Sequence, residues 1–210
     1  MVEGIRNIFC VGRNYVLHAA ELGNEVPDSP MIFMKPTHAV AEMNGGRIGL
    51  PGQYGDIHYE AELVVRIGRP YAPGLAASNL IDGFALGLDL TMRELQGELK
   101  KKQHPWLKAK GFRNSALLTA FRPLTDPLAE LEAREFVLRI NSVEKQRGHI
   151  RDMIFDLQQL IDHIGNHYGL DAGDLIFTGT PAGVGSVQDG DHLALYWGEE
   201  CLGECRIKLD

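Results

Sequence analysis

Between His58 and Gly68 the side chains alternate with a two-residue period. Tyr59, Ala61, Leu63, Val65 and Ile67 share one face, while His58, Glu60, Glu62, Val64 and Arg66 share the other. The pattern predicts a strand with a core face and, opposite it, two carboxylates about 7 Å apart. Like charges at that spacing repel unless water screens them or a cation sits between them. The strand is therefore either half exposed with a solvated outer face, or one wall of a cation site. A second run, Ile81 to Leu90, bears on that choice. Asp89 lies deep in it, where a lone carboxylate is costly to bury without a partner. Three oxygen ligands from two strands, without thiolates, describe a hard-cation site of the Mg²⁺ or Mn²⁺ kind.

The other elements follow from the same reading. Ile8 to Gly12 predicts a short buried strand, and Asn14 an N-cap for a helix through Leu22 that stops at Gly23. On that helix His18 and Glu21 stand three apart and share a face, a spacing also common on wet surfaces. Met31 to Lys35 is another apolar strand, its lysine held extended by Pro36. Gly45-Gly46 and Pro51-Gly52 bracket a further strand, and a short polar helix leads into the Asp89 strand. Thr91 to Leu99 opens on a capping-box pattern, Thr91 to Glu94, and places Arg93 and Gln96 on one helical face a turn beyond Asp89. Residues 106–112 read as a loop or strand start whose lysines are consistent with plain surface. Phe136 to Asn141 alternates as a strand and turns at Asn141-Ser142 into a partner through Gln146.

Ile154 to Tyr168 is the clearest helix, with Leu157, Leu160, Ile161 and Ile164 at helical spacing and Gly165 and Gly169 marking its end. Gly173 to Gly185 is a strand entering a glycine loop. It matches neither a Walker loop, which needs Gly-Lys-Ser/Thr, nor a dinucleotide fingerprint, which must open a helix. Either its free amides bind a carboxylate or its glycines serve a tight connection at positive φ. Strands dominate both ends with two or three helices between, and no repeat or linker is visible. The fold class is α+β, as a single domain over residues 1–210.

Charge and composition narrow the partners. The chain is 44% hydrophobic and 23% charged, with a net charge of −7, which argues against a phosphate-backbone partner. Its one basic cluster, Lys100 to Lys102, reads as a solvated helix end. No run reaches the length of a membrane span, and the first residues lack a signal-peptide core, so the expected location is the cytoplasm. Cys10, Cys201 and Cys205 have no partners for a zinc site and read as reduced packing residues.

Taken in order, several blocks resemble the fumarylacetoacetate hydrolase family. They are Val11-Gly12-Arg13-Asn14-Tyr15 followed by His18 and Glu21, Phe33-Met34-Lys35-Pro36, Tyr59 to Leu63, and Leu88 to Thr91 with Arg93 and Gln96. Lys110-Gly111-Phe112, Asp152 to Phe155 and Thr178 to Gly185 complete the set. The match covers nearly the whole chain and is most similar to the small acylpyruvate hydrolase and oxaloacetate decarboxylase/tautomerase members. The resemblance implies a mixed β-sheet rolled into a barrel-like core with a few peripheral helices, assembled as a homodimer. It implies Glu60, Glu62 and Asp89 as metal ligands for Mg²⁺ or Mn²⁺, with His18, Glu21 and Lys110 as catalytic residues. Arg13, Arg93, Gln96 and Thr180 fall where relatives bind substrate. Ile150 departs from the small polar residue, often Thr, that relatives carry there.

With those residues, a cation would chelate the 1-carboxylate and 2-keto oxygen of a 2-keto or 2,4-diketo acid. Lys110 would add charge to the oxyanion, and Glu21 would orient His18 as general base. The expected reaction is hydrolysis of short acylpyruvates through a pyruvate enolate. The alternative is oxaloacetate decarboxylation, keto–enol tautomerisation, or 2-hydroxyhepta-2,4-diene-1,7-dioate isomerase-type activity. A non-enzymatic alternative is a β-rich binding module with a structural Ca²⁺ site, although Ca²⁺ usually takes six to eight oxygens and only three carboxylates are nominated.

Overall fold

The computed structural model describes residues 4–16 and 27–210. The expected helix from Asn14 to Leu22, with His18 and Glu21, falls largely outside the described residues. Among the described residues the strands form three sheets. The largest runs in the order β2 (Met31–Lys35), β1 (Ile8–Gly12), β13 (Leu175–Phe177), β6 (Ala61–Ile67), β7 (Ile81–Asp89), β9 (Ala116–Leu118) and β3 (Val40–Glu42). β10 (Arg122–Pro123) also pairs with β7. This sheet is mixed, because β1 runs parallel to β13 and β3 to β9 while the other pairs are antiparallel. It curls into a half-barrel, the α+β fold expected.

The second sheet runs β12 (Val143–Gly148), β11 (Phe136–Ile140), β15 (His192–Trp197), β16 (Glu200–Leu209) and β4 (Asn44–Leu50). Asn141 and Ser142 both take positive φ, 51° and 67°, which is the turn a two-residue hairpin requires between β11 and β12. The third and smallest sheet joins β14 (Gly185–Ser186), β5 (Ile57–Tyr59) and β8 (Thr91–Met92).

The alternating run from His58 to Ile67 is thus two strands. β5 belongs to the small sheet and β6 to the large one, with Glu60 between them. The neighbouring chain does the same, because β7 ends at Asp89 in the large sheet and β8 begins at Thr91 in the small one. The Asp89 amide donates to Glu60 O at 2.9 Å across this seam. Two adjacent strands change sheets side by side, and each leaves an acidic residue where it crosses.

The large sheet is covered on both faces. Leu63, Val65, Leu86, Leu88 and Ile176 point into the main core shared with the second sheet. Ile8, Cys10, Val64, Ala85, Leu118 and Phe177 form a second apolar layer behind it. Val64, expected on a polar face, is buried there. The clearest helix spans Leu157–Tyr168 and opens on a capping box between Asp156 and Gln159. Gly169 ends it at φ 79°, whereas Gly165 lies inside it. A Cβ at Gly165 would meet the Tyr71 ring at 2.5 Å, so glycine there serves packing and is not a stop.

Three further expectations change. The helix after β8 spans Arg93–Lys101 with Met92 as N-cap and no side-chain cap, because Thr91 Oγ1 reaches Glu60 and Asp89 O instead. Leu107–Lys110 is a short helix, not a loop or strand start. Cys10 and Cys205 are buried, but Cys201 is exposed and does not pack. No helix among the described residues is long and apolar enough to cross a membrane.

Candidate active site

The seam gathers the three acidic residues. One oxygen from each of Glu60, Glu62 and Asp89 lies within 4.8 Å of the others, and all three residues are buried. Isolated, such a group would be untenable, since each carboxylate taken from water costs several kcal/mol. Cations supply part of the compensation. Lys110 Nζ bridges Glu60 Oε2 and Asp89 Oδ2, each at 2.7 Å, and Arg93 Nη2 contacts Glu60 Oε1. Lys35 Nζ, fully buried, lies 2.7 Å from Asp89 Oδ1. The contact is not aligned as a hydrogen bond. The Lys35 ammonium donates instead to the carbonyls of Leu90, at 3.1 Å, and Lys110.

These pairings order the charges. Burial alone would raise the Glu60 carboxyl, but Lys110 and Arg93 outweigh it and hold it well below the usual carboxylate range. Burial alone would lower the Lys110 ammonium, and Asp89 with Glu60 reverses that, so it stays protonated. Glu62 is the exception. Burial raises its carboxyl, and Asp89 and Glu60 raise it further, against an opposing hydrogen bond from Gly179 N–H and the charge of Lys110. Among the described residues Glu62 has no ion-pair partner. An oxygen-only donor set with one uncompensated carboxylate fits a hard divalent cation.

The glycine loop after β13 turns out to serve both suggested purposes. Gly179 and Gly183 take φ of 101° and 99°, and a Cβ at Gly183 would meet Lys145 O at 2.4 Å. The Gly179 amide binds a carboxylate, but the protein's own, donating to Glu62 Oε2 at 2.8 Å. Thr180 Oγ1 donates to Ala61 O at 2.9 Å and accepts from Gln146 Nε2 at 2.8 Å. Gln146, buried on β12, also accepts from Ala61 N–H at 2.8 Å and donates to Pro181 O. The second sheet thus clamps the loop against the start of β6. The Thr180 hydroxyl proton is thereby directed at the Ala61 carbonyl.

A pocket opens on Glu60 and Glu62 of the triad, lined also by Arg13, Arg93, Gln96, Lys110 and Thr180, with Phe33, Lys100 and Trp106 among the rest of its wall. The structure brings together all the sequence-nominated residues that it describes. His18 and Glu21 lie outside the described residues. Sequence reasoning missed four participants. Lys35 had been read as a strand end; it is buried. His58 Nδ1 accepts from Arg93 Nε at 3.4 Å, and burial followed by the Arg93 charge keeps its imidazole pKa lowered. Lys100 was read only as part of a basic cluster at a solvated helix end, and Trp106 only as the start of a loop or strand. The available signals were a lysine closing an apolar run and a residue seven beyond Arg93 on the same helix.

A family model described as fumarylacetoacetate (FAA) hydrolase C-terminal matches residues 7–209. The chain belongs to the fumarylacetoacetate hydrolase family. Oxaloacetate tautomerase YcgM of Escherichia coli (strain K12) is 36% identical over 193 residues, 91% of this chain and 88% of that protein. A mitochondrial oxaloacetate decarboxylase of Dictyostelium discoideum is 40% identical over 187 residues, 88% of this chain and 85% of that one. Among solved structures, fumarylpyruvate hydrolase from Pseudomonas aeruginosa, in complex with Mn²⁺ and pyruvate, superposes with a TM-score of 0.89 at 32% identity. That match covers 98% of this chain and 91% of the neighbour. The characterised members of this family among these relatives are enzymes. Their names lean toward oxaloacetate, the alternative in the sequence reading, more than toward acylpyruvate cleavage.

Proposed function

We propose that this chain is a divalent-metal-dependent enzyme that interconverts the keto and enol forms of oxaloacetate. The observation that carries the reading is the buried acidic triad opening on a pocket whose other charged groups, Arg13, Arg93, Lys100 and Lys110, are all cations. A metal with a small dianion suits that arrangement of charge. The names of the Escherichia coli and Dictyostelium relatives support oxaloacetate as the substrate.

Glu60, Glu62 and Asp89 would hold Mg²⁺ or Mn²⁺, and the Mn²⁺ in the Pseudomonas neighbour supports that choice. Such an ion, when bound, supplies Lewis acidity to the 2-keto oxygen on which enolate charge develops. Lys110, kept protonated by its two carboxylates, adds a positive charge beside that oxygen. Arg93 and Gln96 are joined at 2.9 Å and present donors to the substrate's carboxylate from one face of their helix. His58 behind Arg93 and Gln146 behind Thr180 hold these walls in place. His18, oriented by Glu21, is proposed as the base. In tautomerisation one proton leaves C3 and one joins the 2-oxygen, so no water is consumed and no carbon–carbon bond breaks. The family resemblance also supports a homodimer, which sedimentation velocity would check.

The test compares two substrates. Purified protein with Mg²⁺ or Mn²⁺ is given the enol form of oxaloacetate, and separately acetylpyruvate. Fast relaxation of enol to keto, lost on chelation while the melting temperature changes little, is the expected result. Rapid cleavage of acetylpyruvate with oxaloacetate relaxing at its uncatalysed rate would restore the hydrolase reading. Release of pyruvate from oxaloacetate would shift it to decarboxylation. Collapse of the fold on chelation, with no turnover of either acid, would indicate a structural Ca²⁺ site in a binding module.

A further inference from the structure

On the helix Arg93–Lys101, the residues Arg93, Gln96 and Lys100 stand at i, i+3 and i+7, one stripe along its surface. All three line the pocket. Seven residues of helix rise about 10 Å, so the stripe leads from Arg93, joined to Glu60 at the triad, toward the far end of the helix. The cations along it differ in their engagement. Lys110 and Arg93 are occupied by the triad's carboxylates. Among the described residues neither Arg13 nor Lys100 has a carboxylate partner.

Lys100 is nonetheless held. Its ammonium lies 5.0 Å above the Trp106 ring, and Trp106 leans on Phe33 with ring centroids 6.0 Å apart. The residue as a whole is exposed, and desolvation beside the pocket wall, followed by the charges of Arg13, Arg93 and Lys110, disfavours its protonated form. The Arg13 backbone is fixed as well, at φ 59°, a conformation rarely kept by a non-glycine residue. The neighbouring Asn14 is fully buried and fastens this backbone by accepting from Phe155 N–H and donating to Phe155 O and Thr178 O.

We propose that Lys100, together with Arg13, forms the subsite for the second carboxylate of a dicarboxylic 2-keto acid, and that Lys100 separates dicarboxylates from monocarboxylates. The inference rests on the keto-acid reading above and deepens it. The 1-carboxylate and 2-keto group face the triad, Arg93 and Gln96, while the far carboxylate lies along the stripe at Lys100. A substrate without that group leaves two cations unanswered.

The test is equilibrium binding to the Mn²⁺-loaded protein, read from water-proton relaxation. Oxaloacetate and 2-ketobutyrate share a four-carbon skeleton and differ in the second carboxylate. Tautomerisation does not change the total oxaloacetate present. The wild-type protein is expected to bind oxaloacetate at least about tenfold more tightly than 2-ketobutyrate, the lower end for a hydrogen bond to a charged group. Lys100→Met should erase most of that preference, leave 2-ketobutyrate binding unchanged, and raise KM for oxaloacetate with kcat nearly constant. Lys100→Arg should keep most of it. Equal losses for both acids, or no loss for either, would overturn the subsite. A wild-type protein that binds both acids equally well removes the subsite alone, and one that binds neither removes the keto-acid reading with it.

Discussion

The two larger sheets bury similar apolar faces and treat charge in opposite ways. On the five-stranded sheet one face joins the core through Phe136, Leu138, Leu193, Leu195 and Ile207, and the other meets water. Its charged side chains answer one another there, as Arg147 does with Glu135 and Glu144. On the half-barrel sheet both faces are apolar; Arg66 and Asp82 pair in the open at the far end of β6 and β7, but a second group of charges gathers at the seam, out of solvent. Wet pairs contribute little to stability and cost little to lose. Buried ones are retained against a desolvation cost of several kcal/mol per ion, which a purely structural sheet has no reason to bear. The difference supports the half-barrel as the carrier of the proposed site. The five-stranded sheet contributes mainly through Gln146, the buried amide that locks the Thr180 loop to Ala61.

Substitutions on the two sheets should sharpen this contrast. Lys35→Met carries the largest expected cost, about 3–5 kcal/mol, because it removes one cation from a fully buried carboxylate and takes the lysine donor from the Leu90 carbonyl, while the Lys110 carbonyl keeps the Ser115 hydroxyl. Chemical denaturation measures it, and a cost below about 1 kcal/mol would mean that the buried and wet charges are alike after all.

Glu62→Gln should act in two directions. Turnover should fall by more than about 10²-fold, beyond the usual effect of losing a group behind a metal ligand. Without metal, however, the variant should melt at a higher temperature than the wild type. Glu62 has the Gly179 amide and the more distant charge of Lys110, but no ion-pair partner of its own among the described residues, to set against its two acidic neighbours. A lower melting temperature in metal-free buffer would contradict that account.

Mn²⁺ should stabilise the protein by about 2.7 kcal/mol when the free ion stands a hundredfold above its Kd, and Glu62→Gln should weaken the effect. A thermal-shift titration of both proteins decides the point.

The smallest change is expected on the wet face. Arg147→Met should cost under about 1 kcal/mol, shrinking further as salt screens Glu135 and Glu144. A loss comparable to that of Lys35→Met would erase the distinction between the sheets.

Much of this molecule was legible in its residues. Period-two alternation located the strands that carry Leu63, Val65 and Phe136, and helical spacing located Leu157 to Ile164, because both patterns are set by local backbone geometry. The nomination of Glu60, Glu62 and Asp89 needed only the electrostatic cost of carboxylates near apolar residues, and the family's motifs added Lys110, Arg93, Gln96 and Thr180. Tertiary structure decided the rest. That His58 to Ile67 splits between two sheets at Glu60 depends on which strands pair on either side, and no periodicity within the segment records it. Lys35 and Lys110 looked like a strand end and a surface group, since a lysine's burial is determined by what packs over it: here Phe33, Phe112 and the Asp89 carboxylate. The glycine loop could have bound an outside anion or made a tight turn, and only the approach of Glu62 to the Gly179 amide showed that it does both within the chain. Local propensity acts over a few residues, whereas a buried charge answers to partners 20 to 120 positions away; Lys110 finds Asp89 across 21 residues, and Gly179 finds Glu62 across 117.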